Sequence, residues 1–273
     1  MRDHQIDVSS EFGAVSEIKL YACRHCFLNF FKPESVAGSP ALYEKLGQST
    51  TYYPSDKWEH RVALEDIDGI GNGVEIGCGA GAFVSLVCAN RAIRFEGWEQ
   101  NSIAVAEAQS RGLPVRMENL ESAASQLRGH YEIVCAFQVL EHVTSPRSFL
   151  ENCCQLLRTG GRLIIGVPNQ DSFIRHAYNL FDLPPHHMTH WNHRALYQLQ
   201  RLFPLRLLRL ADEPLPPHKV AWFVETYEAI LRKYRLGSLM HPWVRSRIIH
   251  LLESPAIGRL VRGDTVYASY VRE

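Results

Sequence analysis

Val74-Glu75-Ile76-Gly77-Cys78-Gly79-Ala80-Gly81 decides how this chain of 273 residues folds. A short apolar run ends in three alternating glycines, and a second apolar stretch, 82–90, follows at once. Glycines at such a junction permit a tight turn and let the backbone approach a ligand at the positive end of a helix. The rest of the middle of the chain repeats the same alternation. Residues 94–99, 114–117, 131–137 and 162–167 read as short strands. Helices are expected from the Asn101 cap to about Arg111, over 121–127, and from Ser145 or Pro146 to just before Gly160-Gly161. Apolar strands alternating with helices of about ten residues predict a parallel sheet covered on both faces, the doubly wound α/β class.

Outside this stretch the rhythm changes. Residues 1–70 read as an irregular arm with a strand-like 19–22, an apolar 27–31 and a helix near 40–48. After Pro168, residues 181–191 are rich in proline and histidine and read as a loop, and 194–202 as an amphipathic helix. Two last strands are expected at 204–211 and 265–271, the final one antiparallel. Between them lies helix-like, aromatic and basic patterning at 220–234 and 244–252. The domain expectation is therefore an arm (1–70), a core (71–211 and 264–273) and a helical insertion (212–263).

Lys plus Arg and Asp plus Glu both number 29, which argues against a nucleic-acid binder driven by bulk charge. The balance hides an asymmetry. Residues 1–70 carry net −4 and residues 201–273 net +5. An acidic arm and a basic cap could thus face each other across a site. No run approaches the ~18 apolar residues of a membrane span. The polar first twenty residues lack a signal-peptide core, so a cytoplasmic location is expected. The seven cysteines are expected to be reduced.

The glycine loop alone is ambiguous, because Gly77, Gly79 and Ala82 also satisfy the dinucleotide pattern G-x-G-x-x-A. Glu75 separates the readings: a carboxylate there repels a pyrophosphate and suits an ammonium-bearing ligand. Glu99, 22 residues after Gly77, can accept the hydroxyls of a ribose in either case. Three blocks then stand in order. Glu75–Gly81 resembles motif I of class I S-adenosylmethionine-dependent methyltransferases. Phe137-Gln138-Val139-Leu140-Glu141-His142-Val143 resembles their "evLEHv" block, and 156–169, with Gly160-Gly161 and Val167-Pro168-Asn169, their "kpGG…vPN" block. Within that family the nearest group is the type 12, ubiquinone-type one.

The resemblance implies a Rossmann-like sheet of seven strands and S-adenosylmethionine as cofactor. It implies that Glu75, Gly77, Cys78, Gly79, Gly81 and Phe83 surround the methionine part, and that Glu99 and Gln100 meet the ribose. Asn119 and Leu120 would meet the adenine, Phe137 and Gln138 would border the methionine end, and Tyr53, beside Tyr52, would cover the site. It further implies methyl transfer to a small molecule, expected at oxygen, on a sugar, lipid-linked or natural-product intermediate. A methyltransferase fold kept only for binding or assembly is the alternative, and an NAD-dependent oxidoreductase a more distant one.

Removing a proton from the acceptor calls for a base titrating near neutrality, and histidine suits that. His187 and His186, in Leu183-Pro-Pro-His-His-Met-Thr-His-Trp191, are the first candidates, and His142 the third. No metal is expected. His186, His187, His190 and His193 cluster in sequence, but no acidic ligand is evident beside them. Cys23-x-x-Cys26 is only half of a zinc knuckle, with Phe27 where related arms carry glycine.

Overall fold

The computed structural model describes residues 7–48, 52, 56–67, 71–90 and 93–273. The arm holds α1 (Ser9–Phe12), a hairpin of β1 (Lys19–Ala22) and β2 (Asn29–Lys32), α2 (Pro40–Gly47) and α3 (Trp58–Asp66). The core begins with β3 (Asn72–Ile76), α4 (Ala82–Asn90), β4 (Arg94–Glu99), α5 (Ser102–Ser110), β5 (Val115–Met117) and α6 (Leu120–Gln126). It continues through β6 (Tyr131–Phe137), α7 (Pro146–Leu156), β7 (Leu157–Pro168), β8 (Thr189–His190), α8 (His193–Leu202) and β9 (Leu205–Pro214). The insertion contributes α9 (Val220–Lys233), α10 (Pro242–Glu253) and α11 (Pro255–Gly258), and β10 (Arg262–Arg272) closes the fold.

Seven strands form one sheet in the order β5-β4-β3-β6-β7-β10-β9. Pairs from β5 to β7 are parallel, and β10 runs antiparallel to both β7 and β9. Successive strand residues point to opposite faces. Val134 therefore packs with α7 and α8, whereas Ile133 and Cys135 pack with α3, α4 and α5. Both faces are dry, which is why the strands read as continuous apolar runs. Asn101 caps α5 by accepting from the amides of Ile103 and Ala104, as its position predicts.

The irregular reading of the arm missed α3. Glu59 and His60 are buried there with Val62 and Ala63, so a polar pair sits on the helix face that an apolar stripe would normally mark. The Gly160-Gly161 step is not a stop before the strand. It is an irregularity within β7, which already pairs at Leu157 with Tyr131 before resuming at Arg162 with Ile133. The loop expected at 181–191 contains β8, which adds to the arm hairpin in a second sheet, β1-β2-β8. Asn29 pairs with His190, and Phe30 with Thr189.

Candidate active site

The strand order reverses direction between β3 and β6, and in open α/β sheets ligands bind outside the carboxyl ends of the strands at such a point. A cavity of about 950 Å³ opens there. Its walls come from the glycine loop, the ends of β6 and β7, α3 of the arm, the histidine loop and the start of the insertion.

The loop wall carries Glu75, Gly77, Cys78 and Gly79. Gly77 has φ +69, and a Cβ there would come within 2.6 Å of Val139 Cγ2, so no larger residue fits. Gly97 of β4 serves the same end from below: a Cβ would meet Cys78 Sγ at 2.5 Å. Glu75 is 3% exposed, and its Oε2 has no hydrogen-bond partner among the described residues. Burial pushes its carboxyl up to about 8, against the pull of Lys57. A cationic group placed in this wall would give that oxygen a partner.

Glu99 stands behind the loop. Its Oε2 accepts from the Gly79 amide, and Oε1 from the amides of Gln100 and Asn101, each at 2.8 Å. These bonds use three of the roughly four acceptor positions of a carboxylate. Gln138 follows β6 at φ +58, a conformation uncommon outside glycine, and its Nε2 donates to Glu59 Oε1 at 3.0 Å. Arm helix and sheet edge are thereby tied together at the cavity.

The histidine wall is the most organised part. The rings of His142, His186 and His187 lie with centroids 4.5–4.9 Å apart. His142 Nδ1 donates to the His186 carbonyl at 2.7 Å, and His186 Nδ1 to the Phe181 carbonyl at 2.9 Å. His187 Nδ1 donates to Asp182 Oδ1 at 3.0 Å. With each Nδ1 carrying the proton, each Nε2 is left with its lone pair. Tyr52 hydroxyl approaches His186 Nε2 at 3.1 Å. Burial holds all three imidazoles neutral, His142 down to about 4 and the other two well below the ordinary value. Backbone bonds fix the loop: Met188 and Thr189 amides donate to the Glu141 carbonyl, and Phe31 amide to the Met188 carbonyl.

Of the residues expected from sequence, the cavity gathers Glu75, Gly77, Cys78, Gly79, Phe137, Gln138, His142, His186 and His187. Gly81, Phe83, Glu99, Gln100, Asn119 and Leu120 do not line it. Phe83 is fully buried against Phe95, Phe137 and His60. Asn119 spends its side-chain oxygen on the Ser122 amide as the cap of α6, and Leu120 packs into the core. Tyr53 lies outside the described residues. Two readings of the histidines need correction. An acid does stand among them, Asp182, and His142 joins His186 and His187, whereas His193 turns away to Asp212 at 2.6 Å.

Sequence reading did not single out Lys57, Glu59, His60, Glu141, Asp182 or Glu213, all of which line the cavity. Glu141 and Glu213 are buried, and burial raises each to about 8, with Asp264 adding to the rise at Glu213. Lys219 answers Asp264 at 2.6 Å. Glu213, Lys219 and Asp264 thus bring both signs of charge to this wall. The acidic arm and the basic end meet elsewhere, where Arg209 pairs with Glu65 and Asp66.

A doubly wound seven-stranded sheet with an antiparallel insertion strand, an acidic glycine loop and a cavity at its switch point defines the class I S-adenosylmethionine-dependent methyltransferases. The methyltransferase-domain family profile matches residues 50–210, and the chain belongs to that family. It is 25% identical over 146 residues to a ubiquinone biosynthesis O-methyltransferase of Idiomarina loihiensis, covering 51% of this chain and 58% of that protein. It is 29% identical over 105 residues to the protein of that name in Cronobacter sakazakii, covering 36% of this chain and 43% of that one. The chain therefore spans about half the length of these curated relatives. A SAM-dependent methyltransferase of Archaeoglobus fulgidus shares the fold with a TM-score of 0.54 and 17% identity, covering 88% of this chain and 97% of that one. Geranyl diphosphate C-methyltransferase from Streptomyces coelicolor does so with a TM-score of 0.50 and 15% identity, covering 79% and 78%.

Proposed function

We propose that this chain methylates a small-molecule acceptor at a hydroxyl oxygen, with S-adenosylmethionine as donor. The observation that carries this reading is the histidine wall beside the glycine loop: neutral imidazoles, among them His187, whose Nδ1 is bonded to Asp182. The names of the two curated relatives support oxygen as the methylated atom. When bound, the donor supplies an electrophilic methyl group on a sulfonium, so the protein's share is orientation, water exclusion and proton handling.

Glu75 would hold the donor's ammonium group, and Gly77 and Gly79 allow its close approach. Glu99, behind them, retains one acceptor position toward a ribose hydroxyl. His187 Nε2 receives the acceptor's hydroxyl proton, and Asp182, on Nδ1, stabilises the imidazolium that results. His142 and His186 hold the acceptor oxygen's orientation. The arm (1–70) and the insertion (212–263) cap the acceptor end, the latter through Trp222, with Ile174 of the segment after β7 also in the cavity wall. The resemblance to the ubiquinone-type group points to a sugar, lipid-linked or natural-product intermediate as the acceptor.

The test is turnover of S-adenosylmethionine against a panel of hydroxylated acceptors. His187→Ala should lower turnover about 100-fold or more while donor binding is kept. Unchanged turnover at saturating acceptor removes His187 as the base. A failure to bind donor at all would remove the whole reading.

A further inference from the structure

The same three histidines have a second capacity. One ring nitrogen of each lies within 4.8 Å of those of the other two. We propose that His142, His186 and His187 form a binding site for a divalent first-row transition ion, with the buried Glu141 carboxyl beside it as a balancing charge. Imidazole-rich sets suit zinc, iron and nickel, and three protein nitrogens with one open position is the pattern of catalytic rather than structural zinc.

Three features of the surroundings support the assignment. Each Nδ1 is oriented by an oxygen: the carbonyls of His186 and Phe181, and the carboxylate of Asp182. Ligating histidines are held in this way, by a carbonyl or carboxylate on the nitrogen that does not bind metal. Glu141, 1% exposed, sets Oε1 3.9 Å from His142 Nε2 and leaves Oε2 without a partner among the described residues. The site also lies in the cavity wall, so its open position takes an oxygen donor from water or the acceptor. The Tyr52 hydroxyl, 3.1 Å from His186 Nε2, marks where one lone pair points and is the group an ion would displace.

This inference rests on the acceptor-site reading and changes one role: with an ion in place, His187 is a ligand and not the base. The experiment measures the ion alone, without donor or acceptor. The full chain, stripped with a chelator, is titrated with Zn2+ and with Co2+. One equivalent of Co2+ should bind with the visible absorption of a four- or five-coordinate ion. His142→Ala/His187→Ala should abolish it, and Asp182→Asn should weaken it about 10- to 100-fold. Because the double variant could lose its fold, long-range 1H–15N spectra of the wild type provide the second measurement. Added Zn2+ should shift the Nε2 resonances of these three histidines. No uptake at micromolar ion, or unshifted histidines, overturns the proposal. So does uptake that survives the double variant and disappears in Cys23→Ser/Cys26→Ser, which would place the ion on the thiols. Loss of turnover in His187→Ala without any uptake would leave the base reading standing and the metal site refuted.

Discussion

Burial raises the Glu75 carboxyl to about 8, which favours its protonated form at neutral pH. A ligand ammonium reverses that balance by favouring the ionised form. Donor binding below pH 8 should therefore release a proton, and affinity should rise with pH up to about 8 and flatten above. Calorimetry in buffers of different ionisation enthalpy reads the proton count directly. A pH-independent affinity with no proton release would show that Glu75 does not meet the cation. Residue identity led to Glu75, Gly77 and Gly79, which do line the cavity. It was a poor guide at Asn119, whose cap bond to Ser122 competes with any outward role. Phe27 is the opposite case. It stands at φ +61, the conformation a glycine adopts freely, held under the Arg194 guanidinium at 4.8 Å.

At the scale of elements, the regular strands and helices of the core were legible because apolar runs, caps and glycines agree there. The small sheet was not, because β8 is two residues long and exists only by pairing with β2. That pairing makes the arm hairpin the support of the histidine loop. Phe31 is buried against Val36 and Met188 and sets its ring 5.1 Å from His190. Phe31→Ala should cost about 3 kcal/mol or more locally. The expected outcome is faster hydrogen exchange at 188–190 and loss of methyl transfer, with donor affinity unchanged. Equal loss of donor affinity would mean that the arm supports the whole cavity. The partnership of His142 with His186 and His187 was invisible for the same reason: 44 residues separate the first two, and only the fold joins them.

For the molecule as a whole, the cavity stores ionisable groups away from their ordinary states. Glu75, Glu141 and Glu213 are raised to about 8, while His60 is lowered to about 3, His142 to about 4, and His186 and His187 well below the usual value. The carboxyls stabilise the fold below their unfolded value near 4.5, and this is lost as pH rises toward 8. The histidines act oppositely: the unfolded chain takes up protons below about pH 6.5 that the folded one refuses. Asp182 is raised as well, so four carboxyls oppose four histidines below pH 6.5, and above that only the carboxyls act. The melting temperature should therefore fall between about pH 6.5 and 8.5, and scanning calorimetry across that range checks it. A flat profile would mean that these groups are hydrated. Net charge, zero by count, did not reveal any of this, because the buried groups are chosen by position. One more consequence follows from strand order. β10 is the last strand of the sheet, yet it is seated between β7 and β9. While the ribosome is still making the insertion, β7 exposes an unpaired apolar edge and β9 has no neighbour to join. Nascent chains stalled before residue 262 should therefore remain protease-sensitive and bind chaperones. The sheet is zipped shut by a strand made after both of its neighbours.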